Sequence, residues 1–129
     1  MKYIDLGLPS GTFWAERNEE GLHTFEVAVS KYGDRLPTFE QLEELKAHCK
    51  WEWKGDGCKV TGPNGGSIFL PAEGYHSCNE DVNFLTYDGN YWSSMPKDSD
   101  YARGIYFDPS GVHMFSSLRC FELSVRLVK

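Results

Sequence analysis

The sequence predicts a single α+β domain in which two helices flank small, mainly antiparallel sheets. The class rests on the length of 129 residues, on two consecutive helical patterns in the first half, and on many short strand patterns around them. A chain of this length can bury one core without metal or disulfide cross-links. We therefore expect residues 1–129 to form one domain.

Composition and charge argue against several classes of binding partner. The net charge of −6 argues against a nucleic-acid partner, because the phosphates would be repelled. No apolar run approaches the roughly 18 residues of a membrane-spanning helix, so no membrane insertion is expected. Met1–Asp5 lacks the apolar region of a signal peptide, which indicates either a reducing compartment or a leader already removed. The aromatic share of 15% fits a β-rich core or a contact surface.

The four cysteines, Cys49, Cys58, Cys78 and Cys120, are irregularly spaced. No pair has the C-x-x-C spacing of zinc or redox sites. A Cys49–Cys58 disulfide stays open if the protein is exported, but the expectation is free thiols that pack as small apolar side chains. We expect no metal and no cofactor.

The first third of the chain reads as a hairpin followed by two helices. Lys2–Leu8 and Thr12–Ala15 have strand patterns separated by a Pro-Ser-Gly turn. From Thr24, apolar residues follow helical spacing as far as Gly33, with Thr24 as the N-cap. A second helix begins at the capping box Thr38-x-x-Gln41. Both helices are amphipathic, and neither is assigned any chemistry.

The rest of the chain reads as strands and turns. The strand patterns are, in order, Trp51–Lys54, Cys58–Thr61, Ser67–Ala72, Ala102–Phe107 and Val112–Phe115. Asp108-Pro109-Ser110-Gly111 has the residue preferences of a type I turn. Apolar and polar residues alternate from Leu123 to Leu127, which predicts a half-buried final strand. Gly74–Phe84 is polar and irregular, and we expect it at the surface.

Five ordered motifs then resemble a known family. They are YIDLGLPSGT-x-WA at Tyr3–Ala15, RLPT at Arg35–Thr38, VTGPNG-x-SIFLPA at Val60–Ala72, YWSS at Tyr91–Ser94 and SVRLV at Ser124–Val128. Together they resemble a large family of gut-bacterial and phage domains with a C-type lectin fold of the formylglycine-generating-enzyme type. Many members are variable proteins of diversity-generating retroelements. The resemblance covers nearly the whole chain, with one departure at Glu122, where the family usually has Gly.

The resemblance implies a C-type lectin-like fold with its first and last strands close together. It also implies a ligand-facing region at about residues 91–129, whose surface residues are diversified by reverse transcription at template adenines, chiefly in Asn codons. The positions that match this pattern are Arg103, Gly104, Tyr106, His113, Phe115, Ser116, Ser117, Leu118, Cys120 and Phe121. An AAY codon randomised at its adenines can encode each of these residue types, and it cannot encode Lys, Glu, Gln, Met or Trp.

The function that the resemblance implies is non-enzymatic binding of a macromolecule, with a protein as the expected ligand. Tyr106, Phe115 and Phe121 would be the apolar anchors, which are residue types that dominate binding hot spots. Arg103 and His113 would add polar specificity. The alternative is a fixed-specificity carbohydrate-binding or structural module of the same fold.

Two other chemistries fit the sequence poorly. A formylglycine-type oxidase would need a pair of reactive cysteines near the C-terminal end, where only Cys120 is found. A calcium lectin would need six to eight oxygen ligands; Asp81, Asp98 and Asp100 are available, but Trp92-Ser93-Ser94 lacks the Trp-Asn-Asp ligands of such sites. We therefore expect no catalytic residues.

Histidines and tryptophans outside this region have structural interpretations. The histidines, His23, His48 and His76, have no partner at metal spacing and are expected at the surface or in caps. Trp51 and Trp53 could form an aromatic platform for a sugar, although core packing is an equally good interpretation.

Overall fold

Ten strands and two short helices make up the described part of the computed structural model, which covers residues 1–78, 83–84 (backbone only) and 88–129. The strands are β1 (Tyr3–Asp5), β2 (Phe13–Ala15), β3 (Lys50–Trp53), β4 (Gly57–Thr61), β5 (Ser67–Pro71), β6 (Tyr75–His76), β7 (Asn83–Phe84), β8 (Gly89–Pro96), β9 (Tyr101–Asp108) and β10 (Gly111–Leu118). The helices α1 (Phe25–Tyr32) and α2 (Phe39–His48) lie between β2 and β3, separated by a 3₁₀ turn at Gly33–Arg35.

The predicted fold class is wrong. The structure is mostly sheet, with 42% strand against 18% helix, and it is a β-rich fold rather than an α+β, C-type lectin-like fold with flanking helices. The prediction gave two clear helical patterns the same weight as the strands. It assigned no strand to the YWSS motif at Tyr91–Ser94, which lies within the eight-residue strand β8.

The sheets are small and antiparallel. One has the order β10-β9-β8, a second has the order β3-β4-β5, and β1 pairs with β2. β6 and β7 form a further short pair. The predicted hairpins at the N-terminus and around Pro109–Ser110 are confirmed: Ile4 lies opposite Trp14, and Gly111 lies opposite Asp108.

Both helices begin where the sequence predicts. The Thr24 hydroxyl accepts a hydrogen bond from the Val27 amide at 3.3 Å. In α2, the Thr38 hydroxyl accepts from the Gln41 amide, and the Gln41 side chain accepts from the Thr38 amide. These contacts satisfy amide groups that have no partner inside the helix.

The predicted half-buried final strand is wrong. Residues 123–128 form isolated bridges to separate segments, including His23 to Leu123 and Trp14 to Val128, rather than one continuous strand. All of these residues are buried, and even Arg126 is only 1% exposed. Because neighbours cover the segment on both sides, its polar residues do not reach solvent. The segment does bring the two termini together, since the Phe13 amide donates to the Lys129 carbonyl at 2.9 Å.

Among the described residues, two apolar clusters form the core. One lies around Trp14, Leu45 and Phe107, and the other lies around Phe25, Trp92 and Val125. Trp51 and Trp53 pack against the first cluster. The Trp51 ring lies 5.7 Å from that of Phe107, and its Nε1 donates to the Leu45 carbonyl. Core packing is therefore their observed role.

Cys78 and Cys120 form a disulfide, with Cα atoms 5.2 Å apart. The prediction of free thiols is wrong for this pair, because sequence spacing does not reveal that the chain returns to Cys78 after β10. The prediction is correct for Cys49 and Cys58. Burial raises the pKa of both of these thiols to about 11.

Candidate ligand groove

A groove of about 420 Å³ opens beside the β9–β10 hairpin. Its lining combines aromatic and aliphatic side chains with a few polar groups. The lining residues are Tyr75, Asp88, Asn90, Tyr101, Tyr106, Phe115, Ser116, Ser117, Leu118, Phe121 and Leu123.

The hairpin register explains why aromatic residues meet in this groove. Tyr106 lies opposite His113, and Phe115 lies opposite Gly104, so their side chains share one face of the sheet. The Tyr106 ring lies 6.0 Å from Phe115 and 6.4 Å from His113. On the opposite face Ile105 is fully buried in the core. One strand thus presents core residues on one face and groove residues on the other.

A second aromatic pair, from another part of the chain, forms one wall of the groove. Tyr75 and Phe121 stack with ring centroids 5.3 Å apart and planes 7° apart. The backbones of His76 and Glu122 exchange hydrogen bonds at 3.0 and 2.8 Å. The disulfide from Cys120 to Cys78 ties the same two segments together. The wall is therefore held by covalent, hydrogen-bond and ring contacts.

Asp108 orders the turn next to the groove. Its carboxylate accepts hydrogen bonds from the Tyr106 hydroxyl at 2.8 Å, from the Ser110 hydroxyl at 2.5 Å, and from the amides of Ser110 and Gly111. These bonds, first that from the Ser110 hydroxyl, lower the pKa of Asp108. Burial and the bond to Asp108 raise the pKa of Tyr106 to about 12. At neutral pH this places a charged carboxylate beside a neutral phenol.

Most of the predicted binding residues lie in the groove, but not all. Those that line it are Tyr106, Phe115, Ser116, Ser117, Leu118 and Phe121. His113 is exposed on the same face as Tyr106. Arg103 points to the other face, where its guanidinium lies 5.5 Å from the ring of Phe39. Cys120 is exposed and bonded to Cys78.

Gly104 contributes only backbone to this surface. It is buried, and a Cβ at this position would clash with the Tyr91 carbonyl oxygen and lie 3.1 Å from Cε1 of Phe115. The close approach of β8 and the Phe115 ring therefore requires glycine here.

Sequence reasoning missed the groove residues that come from outside the hairpin. Tyr75 lies in a stretch expected to be irregular surface, and Asp88 and Asn90 precede the YWSS motif that begins at Tyr91. Asn90 is only 4% exposed, and its amide lies within 3.4 Å of the Gly74 carbonyl. Tyr75, Asp88 and Asn90 reach the groove only because β6 and β8 pair with the C-terminal segment in the folded chain.

Asp98, one of the candidate calcium ligands in the sequence, binds the neighbouring backbone instead. The Asp98 carboxylate accepts hydrogen bonds from the amides of Asp100 and Tyr101. Asp81 lies outside the described residues. Within the described ranges, no group of three or more His, Cys, Asp or Glu side chains could hold a metal ion. Similarly, no described helix has the length and apolar character needed to cross a membrane.

The predicted surface position of His23 is wrong. This side chain is 8% exposed, and its Nε2 lies 3.1 Å from the Tyr32 hydroxyl. Burial lowers its pKa. His48 is exposed, and Nδ1 of His76 lies 3.0 Å from the Glu122 carboxylate.

Comparisons with protein-family models, with curated proteins and with solved structures find no match to this chain. The resemblance to retroelement variable proteins is therefore a prediction from the sequence motifs alone.

Proposed function

We propose that this protein is a non-enzymatic binding protein whose groove recognises a protein ligand. The observation that carries this proposal is the convergence of Tyr75, Tyr106, Phe115 and Phe121 in one open groove of about 420 Å³. Each ring is partly exposed. Aromatic side chains supply large contact areas at low entropic cost, and they dominate the binding energy of many interfaces.

We propose further that the groove residues are diversified by a retroelement and displayed on the β-rich scaffold. The residue types at the positions implied by the resemblance can all arise from AAY codons randomised at adenine. Along β9, Gly104 and Tyr106 alternate with Ile105 and Phe107, both of which are fully buried. A surface built this way can change its side chains while the core stays constant.

A matched pair of display libraries tests this capacity. The first randomises Tyr106, His113, Phe115 and Phe121 in the full chain, and the control randomises four exposed or partly exposed residues of the β3–β4 hairpin, Lys50, Glu52, Lys54 and Lys59. Selection against one purified protein, such as lysozyme, should give binders from the first library and none from the control. Equal yields from both libraries would contradict a specialised binding face.

A double substitution then separates binding from folding. In a selected binder that retains both residues, Tyr106→Ala with Phe121→Ala should weaken binding by about a hundredfold or more, since two hot-spot side chains are lost. The melting temperature should change little because both rings are partly exposed. A large loss of stability would instead make these residues part of the core.

Carbohydrate binding is the second candidate, because Asp88 and Asn90 lie beside the aromatic rings in the same groove. Rings with a few polar groups are also how proteins bind small polar ligands. A glycan array combined with a calcium titration distinguishes the two functions. Calcium-dependent sugar binding would favour the fixed-specificity module.

A further inference from the structure

The outer edge of β10 carries backbone groups without a partner among the described residues. β10 is the terminal strand of the β10-β9-β8 sheet. Its hairpin turn leaves Asp108 and Gly111 opposite each other, and Tyr106 lies opposite His113. Hydrogen-bonded and non-bonded pairs alternate in antiparallel sheets. The backbone N–H and C=O groups of Val112, Met114 and Ser116 therefore point away from β9.

Two contacts support this assignment. The Arg103 carbonyl accepts a hydrogen bond from the Ser93 hydroxyl of β8 at 2.7 Å, so Arg103 turns its backbone to β8 and not to β10. The Leu118 carbonyl accepts from the Phe121 amide at 3.1 Å, on the side away from β9. From Val112 to Ser116, no backbone hydrogen bond between described residues uses the outward groups.

Two other strand edges in the described structure are protected. The backbone of Ser124 bonds to Asn90 and Trp92 along β8. β3 carries the charged residues Lys50 and Glu52. By contrast, β10 reads GVHMFSSL, with no Lys, Arg, Asp, Glu or Pro over eight residues. Natural sheets use such residues to block strand addition, so their absence leaves β10 open to it.

The charged residues beside this edge favour a positively charged ligand. Asp88 lines the groove, and the Asp108 carboxylate lies at the end of the hairpin. Of the nearby cations, Arg119 is bonded to the Asp98 carbonyl and lies 3.5 Å from the Glu26 carboxylate. Lys97 lies over the ring of Tyr101, 5.7 Å from its centroid. The whole chain carries a net charge of −6. Lysine or arginine side chains in a ligand would meet carboxylates here, and they could also lie over the ring of Tyr106.

We propose that an extended, basic segment of the ligand adds to the free edge of β10 as a further strand, with every second side chain entering the groove. The inference rests on the proposed binding function and specifies how the ligand is held. Backbone hydrogen bonds to Val112, Met114 and Ser116 would supply affinity that does not depend on ligand sequence. Groove side chains such as Phe115 would then supply specificity.

Amide hydrogen exchange on the full chain provides the first test. Without ligand, the amides of Val112, Met114 and Ser116 should exchange quickly, whereas those of His113 and Phe115, bonded to β9, should exchange slowly. Slow exchange at all of these amides in the monomer would show that the edge is already covered and would overturn the proposal. Slowing that appears only at high protein concentration would mean that a second copy of the chain occupies it, which also overturns the proposal.

Peptides selected from a random display library against the full chain provide the second test. The selected peptides should be rich in lysine or arginine, and their binding should slow exchange at Val112, Met114 and Ser116 by about tenfold or more. N-methylation of every second peptide residue in the register that faces β10 should weaken binding by about tenfold or more, because each methyl group removes a donor. N-methylation in the other register should leave binding nearly unchanged.

The outcomes separate this inference from the function it rests on. Peptides that lose binding in the Tyr106→Ala, Phe121→Ala variant without slowing the β10 amides would leave the groove as a binding site and overturn strand addition. Peptides that neither slow these amides nor depend on Tyr106 and Phe121 would overturn both proposals. Failure to select any peptide would overturn strand addition, and the lysozyme libraries would still decide whether the groove binds proteins.

Discussion

At the residue scale, Arg126 is a buried charged side chain that forms three hydrogen bonds to separate segments. It is 1% exposed. Its guanidinium donates to Asn18 Oδ1 at 2.7 Å, to the Ala15 carbonyl at 3.0 Å and to the Phe69 carbonyl. Burial lowers its pKa to about 10. The several donors of this guanidinium therefore link β2, β5 and the C-terminal segment.

Replacing Arg126 by methionine should therefore destabilise the fold strongly. One buried and two partly buried acceptors would lose their donor, and the expected loss in unfolding free energy is about 3 kcal/mol or more. Urea denaturation measures this loss. Arg17→Met, at a side chain 69% exposed, is the control and should change stability by less than about 0.5 kcal/mol. Equal effects of the two substitutions would contradict the network.

Tyr91 and Asn18 complete this buried cluster. The Tyr91 hydroxyl donates to the Pro71 carbonyl at 2.7 Å and accepts from the Asn18 amide at 2.8 Å. Burial raises the pKa of Tyr91, so it stays a neutral donor. Of the polar residues in the YWSS and SVRLV motifs, Ser93, Ser124 and Arg126 are thus buried in the scaffold, and Ser94 is partly buried. Sequence alone could not distinguish these roles, because alternation at Leu123–Leu127 resembles that of a half-exposed strand.

At the scale of the element, features set by neighbouring residues were predictable. Thr24 and the Thr38/Gln41 capping box act within one helical turn, and both helices begin there. Pro109–Ser110 likewise fixes the β9–β10 hairpin. Elements that depend on distant contacts were not predictable. β6 is only two residues long and pairs with β7, and residues 123–128 are ordered by bridges to separate segments.

The disulfide between Cys78 and Cys120 is the element-scale contact with the largest expected effect on stability. It closes a segment of 42 residues. By the chain-entropy estimate, replacing both cysteines by alanine should remove about 2–4 kcal/mol of unfolding free energy. The substitutions should also weaken binding, since the stacked Tyr75–Phe121 wall loses its covalent tie.

Denaturant unfolding of the double variant, with Cys49→Ala as control, measures this effect. Alkylation of the denatured, unreduced protein gives an independent readout. Modification of Cys49 and Cys58 alone is expected. Modification of Cys78 and Cys120 as well, with unchanged stability in the double variant, would contradict a disulfide in solution.

At the scale of the whole molecule, the fold class is where sequence reasoning failed. Two short amphipathic helices with good caps are prominent in the sequence, yet the strands dominate the structure. The arrangement of the small sheets depends on segments such as residues 123–128, which are buried between segments that are distant in sequence. Periodicity along the chain does not report such contacts.

The groove residues, too, could be predicted only in part from the sequence. Hairpin residues such as Tyr106 and Phe115 could be singled out from the C-terminal sequence. Tyr75 and Asp88 could not, because they reach the groove only through the fold. Arg103 was placed with the groove residues by its position in the sequence, while strand alternation puts its side chain on the other face.

Sequencing the gene and its flanking DNA from many isolates tests most directly whether a retroelement diversifies the groove residues. The expected result is a non-coding copy of the C-terminal segment beside a reverse transcriptase gene. Protein differences should then concentrate at groove residues such as Tyr106, Phe115 and Phe121, and be absent at Gly104 and the fully buried Ile105. Differences spread evenly over exposed residues, with no second copy of the segment, would contradict a diversified binding surface.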